Sequence, residues 1–386
     1  MKKFVSMVLY FVIIAVFVGC SNASTFSNAG NKKFKQGHYE EAAKDFQKAI
    51  KKNPNQADYY IEYGMTLISL AKYEEAIKEF DSVYRKSSTS IVKENNKRAL
   101  RGKGIAYYMM KEYDKALVEF EKSIDMDVLP KLNVDILFYV GSAYSKLGSY
   151  QKAADTYTLI IKQGKYAQAY GGRAACYQNM DQYEESLSDL DRAISIKPKN
   201  YEYYFDKYNL FKVYGKDAEA KKVLKEASKL KAKSKEEEYS LSKILFFQGD
   251  YKTAQKKLEQ SLLDGMEEAN YYIGEIYRIK KDDQKALQYY EKYIQSGKVT
   301  FGDVYNQAAM CLMKTEEYKK ALKYLERGIG ISDKISSKIL KKNQIIIYEH
   351  IGDFKKADKL MKSYLEEYPK DKDAIREAGF IETRIG

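Results

Sequence analysis

Ten times along 386 residues, at intervals of 32 to 40, one small signature returns: an aromatic or polar turn residue, a small residue three places on, and a large apolar residue four further. The small residues are Ala42, Ala76, Ala116, Ala153, Ser186, Ala220, Ala254, Ala286, Ala321 and Ala357. A chain that repeats at this period builds one supersecondary unit many times. No single unit can bury its apolar face alone, so neighbours stack into a solenoid. Stacked repeats present long surfaces, which directs attention to binding rather than to catalysis.

The first repeat shows the local physics. In GHYEEAAKDFQKAIKKNP, from Gly37 to Pro54, the apolar residues Tyr39, Ala42, Ala43, Phe46, Ala49 and Ile50 recur at helical spacing. The preceding stretch, Phe26 to Lys35, reads as another helix ended by Gly37. Two helices joined by so short a turn approach closely only where neither carries bulk, so Gly30 is expected to face Ala42. Large side chains there would overpack the contact, at about 1 to 3 kcal/mol. Gly64, Gly104, Gly141 and Gly274 stand twelve residues before Ala76, Ala116, Ala153 and Ala286 in the same way. Phe80, Phe120, Tyr157, Leu190, Leu224, Leu258, Tyr290, Leu325 and Met361 fill the large position of the second helix. All four prolines, Pro54, Pro130, Pro198 and Pro369, are expected just after a second helix, where the chain must stop being helical.

The order Tyr170, Ala174, Tyr183, Ser186, Leu190, Ala193, Pro198 in the fifth repeat resembles the tetratricopeptide repeat (TPR) family. Departures exist: Asp217 and Asp283 replace the turn tyrosine, several repeats lack the proline, and six extra residues, Ile91 to Asn96, precede the third repeat. The resemblance covers residues 23–371. It implies an all-α fold, a right-handed α-solenoid of about ten stacked helix-turn-helix repeats. Beyond it, Ala374, Ile375, Ala378 and Ile381 recur at near-helical spacing, so residues 372–386 are expected to form a capping helix with one polar face. That leaves no room for a second domain.

The first twenty residues, MKKFVSMVLYFVIIAVFVGC, are of another kind. Two lysines precede an apolar run from Phe4 to Gly19 and then Cys20, the layout of an export signal. The ending Phe17, Val18, Gly19, Cys20 resembles the lipobox of bacterial lipoproteins, in which cleavage before the cysteine leaves its thiol joined to diacylglycerol. That resemblance implies a signal peptide over 1–19, a lipidated tether over 20–22, and a mature chain held by lipid on the extracytoplasmic face of a cell membrane. An uncleaved anchor is one alternative, although the run lies at the short end of what spans a bilayer. A plain secretory signal with a coincidental cysteine is the other.

Composition narrows the chemistry. Two histidines, His38 and His350, stand at opposite ends of the chain and are not expected to share a metal. Cys176 and Cys311 occupy equivalent places in their repeats, about four repeats apart, and are expected to be core thiols rather than a disulfide. Ser69 to Lys72 and Ser149 to Lys152 match an SxxK pattern, but its companion motifs are absent, as are GxxxxGK, HExxH and GxSxG. No catalytic residue, metal or cofactor is therefore expected. The formal charge is +13, and Lys221 to Lys235 holds seven lysines and one acid. That stretch reads as a solvated helix end or as a patch for an anionic envelope polymer or lipid head group. Nucleic acid is not an expected partner, since none of its recognition motifs is present.

TPR arrays bind along the concave face lined by first-helix residues. Carried onto this chain, that geometry marks Phe138, Tyr139, Phe205, Asn209, Lys212, Tyr239, Lys243, Phe246, Tyr271, Tyr272 and Arg278, because aromatic and arginine side chains anchor interfaces. The chain has 37 tyrosines, so rings would also fall on any face by composition. Ser27 and Asn31 supply only a fragment of the Lys and Asn pattern with which chaperone-binding members grip a C-terminal carboxylate, so that ligand is not expected. The function expected is a non-enzymatic, membrane-anchored scaffold for another protein or an exported peptide segment. A lipoprotein binding a cell-wall glycan or anionic envelope polymer is the alternative, weakened by the absence of tryptophan.

Overall fold

All ten signature residues are 0% exposed, Ser186 among them. Ser186 tolerates this because its hydroxyl donates to Ala174 O across the helix pair, 2.9 Å away. The structure is a computed structural model that describes residues 23–85, 89–332 and 334–385. Those residues form 21 α-helices and no strand, an all-α repeat solenoid.

The chain divides into two compact units between Pro198 and Lys199. The first holds five helix pairs: α1 (23–35) with α2 (Tyr39–Lys52), α3 (Ala57–Ser69) with α4 (Tyr73–Val83), α5 (Ser90–Met109) with α6 (Tyr113–Ile124), α7 (Lys131–Lys146) with α8 (Tyr150–Gln163), and α9 (Ala167–Asn179) with α10 (Tyr183–Ile196). The second holds α11 (Tyr201–Val213) with α12 (Asp217–Ala227), α13 (Lys235–Gln248) with α14 (Tyr251–Leu263), α15 (Ala269–Ile279) with α16 (Asp283–Gln295), α17 (Asp303–Lys314) with α18 (Tyr318–Ile331), and α19 (Lys334–His350) with α20 (Phe354–Glu367). A last helix, α21 (Lys372–Ile385), follows. Among the described residues no helix is long and apolar enough to cross a membrane. The expected signal peptide and Cys20 lie outside the described residues.

The turn inside each repeat is one motif used ten times. Five residues before each signature residue the backbone is left-handed: Gly37, Ala71, Lys111, Gly148, Asp181, Gly215, Gly249, Lys281, Glu316 and Gly352 all have φ between 57° and 85°. The next residue's N–H then bonds to the carbonyl five positions back, as His38 does to Lys33 and Glu317 to Leu312, at 2.8 to 3.0 Å in all ten repeats. This Schellman closure satisfies carbonyls that the helix end would leave open. Half of these positions are not glycine, and each such residue carries a backbone cost of roughly 1 kcal/mol.

The glycine of the first helix also makes room for the large residue of the second. A Cβ added at Gly30 would meet the ring of Phe46 at 2.9 Å. Gly64 meets Phe80, Gly104 meets Phe120, Gly141 meets Tyr157 and Gly274 meets Tyr290, always sixteen residues on. In the other five repeats the large residue is aliphatic, and the position sixteen before it holds Ala174, Tyr208, Ser242, Ala309 or Ile345. The glycine is therefore space for a ring. Two rings are clasped from both sides, Phe80 by Gly64 and Gly102, and Tyr157 by Gly141 and Gly172.

The six extra residues before the third repeat are taken up mostly in α5, which begins at Ser90 and runs for 20 residues. Two buried residues in its second turn, Asn96 and Lys97, tie down both flanking connections. Asn96 accepts from Arg85 N (3.0 Å) and donates to Arg85 O (2.6 Å). Lys97, 0% exposed, donates to Met126 O (3.0 Å), Val128 O (2.7 Å) and Asn133 Oδ1 (2.7 Å). Pro130 differs from its expected place directly after a second helix, because this clamped segment follows α6 and the proline caps the start of α7.

The last helix packs through Ala374 and Ile381 onto Ile345 of α19 and Ala357, Met361 and Tyr364 of α20. Glu349 of α19 lies beside Glu377 of α21, with one buried oxygen that has no donor. Burial, and then Glu377, raise its pKa from 4.5 to about 7. Two carboxylates accept but cannot donate, so they bond only through a shared proton. A raised folded pKa means that this stabilisation is fully present below 4.5 and is lost as pH rises through about 7. Hydrogen exchange in α21, corrected for its intrinsic rate, is expected to be slower at mildly acidic than at mildly basic pH, and Glu377→Gln is expected to reduce the difference. Equal protection at both pH values in the unaltered chain would refute the coupling.

Candidate functional site

The residues that do not repeat lie between those that do. Along α11, Glu202, Phe205, Asn209 and Lys212 follow one helical stripe, three to four residues apart. Equivalent stripes are Glu236, Tyr239, Lys243, Phe246 on α13, the N-cap Glu268 with Tyr271, Glu275, Arg278 on α15, and Asp303, Asn306, Met310, Met313 on α17. All belong to the second unit.

Nine of the residues expected to bind lie there, and the structure brings six of them together. Phe205, Tyr239 and Tyr272 are buried in the packing between first helices, while Phe246 and Tyr271 are half-buried. Lys243, its side chain only 14% exposed, lies among them. Its Nζ is 4.9 Å from the Phe205 ring centroid, 5.4 Å from Tyr239 and 6.0 Å from Tyr272, and 3.7 Å from Glu202 Oε1. The Tyr239 ring meets Tyr272 edge to face at 6.3 Å, and Tyr272 meets Phe246 at 5.4 Å and Tyr271 at 5.2 Å. Phe247, which sequence reasoning missed, is exposed and touches Phe205 at 5.8 Å.

The three remaining residues are exposed. Arg278 is held by Glu275 through bonds of 2.7 to 3.1 Å, while Tyr290 Oη donates to the same carboxylate at 2.5 Å. Lys212 pairs with Asp217 at the start of the second helix of its own repeat. Asn209 is open to solvent.

Sequence reasoning also missed a row of acids. Glu202, Glu236, Glu268 and Asp303 each stand eighteen residues before their signature residue, in four successive repeats, so the register alone could have revealed them. Asp303 is open to water at its edge yet hemmed in by protein, and this desolvation, with the like charge of Glu275, raises its pKa. The Tyr239 hydroxyl is buried with no hydrogen-bond partner, and burial with the nearby Glu268 holds its pKa high.

The first unit is built otherwise. Phe138 packs edge-on to Tyr166 at 6.1 Å, and Tyr139 stacks on Phe120 at 5.5 Å, both half-buried. Its first helices line a cleft of about 220 Å³ with Asn31, Phe34, Ile61, Glu62, Met65, Arg98, Arg101 and Leu132. Charges here answer one another: Arg98 pairs with Asp58, Arg101 with Asp135 at 2.5 Å, and Ser27 donates to Glu62 at 2.8 Å.

The reactive-looking residues have structural surroundings. Ser69 donates to its own helix at Met65 O, and Lys72 faces Glu75 at 3.8 Å. Cys176 and Cys311 are buried free thiols, and burial pushes Cys311 up to about 11. His350 stacks on Tyr318 at 6.0 Å. Among the described residues no group of three His, Cys, Asp or Glu could hold a metal. Lys221, Lys222 and Lys225 are exposed on α12, and Lys235 pairs with Asp264 at 3.1 Å.

Known proteins bear on this arrangement. Family models described as tetratricopeptide repeat match residues 28–91, 135–163, 167–200, 239–298 and 302–335, together more than half of the chain. Hsp70-Hsp90 organizing protein 1 of Glycine max is 26% identical over 201 residues, 44% of this chain and 35% of its own. A DnaJ homolog subfamily C member 7 homolog of Dictyostelium discoideum is 23% identical over 265 residues, 65% of this chain and 48% of its own. The chain thus spans a third to a half of the length of these curated relatives. Among solved structures, a tetratricopeptide repeat protein from Parabacteroides merdae is 16% identical, with a TM-score of 0.52 over 76% of this chain and 99% of that one, a likeness of fold alone. Together with ten buried signature residues and ten identical turns, these matches place the chain in the tetratricopeptide repeat family.

Proposed function

We propose that this protein is a non-enzymatic scaffold, anchored through lipid on Cys20 to the outer side of the cytoplasmic membrane, whose first-helix faces hold another polypeptide. One observation carries the reading. The turn conformation and the buried small residue return in every repeat, whereas first-helix stripes such as Glu268, Tyr271, Glu275 and Arg278 are individual and partly open. Uniform positions serve the fold, so individual ones are where a partner is specified. The relatives named for organising Hsp70 and Hsp90 support a protein partner in kind. In the first repeat Ser27 is bonded to Glu62, an acid that would repel a carboxylate ligand.

The test uses exposed positions, because truncating buried Tyr239 would probe packing instead. Photo-crosslinkers at Asn209 and Arg278 are expected to capture a discrete partner in cells, and one at Lys256 on the exposed side of α14 is not. Phe247→Ala with Arg278→Ala is expected to lower capture about tenfold with unchanged helicity, since hot-spot side chains carry most of an interface's energy. Equal capture from Lys256 would count against the first-helix face.

Anchoring is tested separately. Cys20→Ser is expected to leave an unprocessed chain that takes up no labelled fatty acid, and equal labelling of the variant would remove the lipoprotein reading.

A further inference from the structure

We infer that the first-helix face of the second unit takes a lysine-rich segment of another polypeptide, its ammonium groups seated over ring faces and along the carboxylates Glu202, Glu236, Glu268 and Asp303. This rests on the protein-binding role proposed above and narrows it to one charge class.

The charge of the face opposes that of the chain. Across α11, α13 and α15, with the start of α17, the stripes carry Glu202, Glu236, Glu268, Glu275 and Asp303 in a protein of formal charge +13. Lys243 answers Glu202 and Arg278 answers Glu275. Lys212 is drawn off to Asp217, and Lys314 to Asp283 at 2.7 Å. Among the described residues no ion pair neutralises Glu268 or Asp303, while Glu236 is held by Ser234 with Lys235 nearby. In the first unit, by contrast, Arg98 and Arg101 of the same chain answer Asp58 and Asp135, which stand in the register of this acidic row.

The chain also shows how a lysine is received. Lys243 sits within 4.9 to 6.0 Å of three ring centroids with a carboxylate beside it, an arrangement that favours a cation through ring quadrupole and opposite charge together. One helix further along, Glu268 stands beside the same tyrosines, at the edge away from Glu202. The Tyr239 hydroxyl, more than nine-tenths buried and unpartnered, lies near Glu268, with Tyr272 and Tyr271 adjoining. An incoming ammonium has three donors, enough for that hydroxyl oxygen and the carboxylate at once. It would also relieve the repulsion between Asp303 and Glu275.

The test is fluorescence anisotropy of a labelled octalysine peptide with the full chain. Saturable binding is expected at about 50 mM salt, weakened about tenfold or more at about 300 mM, where charge attraction is screened. Glu268→Gln with Asp303→Asn is expected to weaken it about tenfold, while Glu74→Gln with Glu75→Gln, exposed acids on α4, changes it less than about twofold. Equal weakening by the control pair, or no octalysine binding, overturns the inference. If labelled octaglutamate binds instead and Phe247→Ala releases it, the charge class is wrong while the protein-binding reading stands. The crosslinking experiment above decides that reading independently.

Discussion

Replacing Gly102 by leucine is expected to destabilise the second and third repeats by about 2 to 3 kcal/mol, an overpacking cost for a site with no spare volume. A Cβ at Gly102 would stand 2.4, 2.5 and 2.8 Å from three atoms of the Phe80 ring. That ring is fully buried and is clasped by Gly64 on its other side, where a Cβ would stand at 2.6 Å. It has no direction in which to yield. Helix propensity alone argues the other way, since replacing a mid-helix glycine gains up to about 1 kcal/mol. The two arguments therefore predict opposite signs. Phe80→Leu is expected to rescue much of the loss in the double variant, because contacting residues couple. The urea midpoint of the first unit measures both. A stabilised Gly102→Leu variant, or strictly additive effects with Phe80→Leu, would show that the glycines are not there for the rings.

Lys97→Met is expected to cost about 3 kcal/mol or more, the scale for breaking a buried charged hydrogen-bonded site. Methionine fills a similar volume, so the effect isolates the polar contacts. Three oxygens, on the half-buried Met126, Val128 and Asn133, would lose a donor that is itself fully buried. The segment they belong to contains Leu129 in the left-handed region, at φ 45°, a strained conformation for a side chain of that size. Without the ammonium, that segment is expected to open first. Limited proteolysis near residues 126–129 should accelerate before α6 or α7 loses helicity. Burial lowers the Lys97 pKa, partly offset by Asp127, so the cost of holding this charge is relieved as pH rises toward the ordinary lysine value of 10.5. Unchanged cleavage in Lys97→Met would mean that the helices alone hold the loop.

Much of this molecule was legible in its residues. The signature positions are fully buried, the large apolar residues of the second helices fill the core, and Pro54, Pro198 and Pro369 closely follow second helices. These features depend on contacts closed within one helix pair, sixteen residues or fewer, so a local pattern contains them. Even the pairing of glycine with an aromatic ring was present in the register. It was read as glycine against alanine because both are small and both recur.

The candidate face was harder to read, for a physical reason. Phe205, Tyr239 and Tyr272 look like ligand anchors in the sequence, yet they serve partly as packing between neighbouring first helices. Lys243 looks like a free surface charge and is enclosed by their rings. The acids Glu236, Glu268 and Asp303 look like ordinary solvated helix starts. Whether a charge is answered depends on residues 30 to 40 positions away, as with Arg98 and Asp58 or Arg101 and Asp135.

By itself, then, the sequence determined the period, the helix pairs, the ten turns and the membership of the family, because each follows from short-range sterics repeated ten times. Tertiary structure alone decided which rings remain open, which lysine is enclosed and which carboxylates stay without a cation. Those outcomes arise between helices of successive repeats, where stacking distance and side-chain reach select partners that no period encodes.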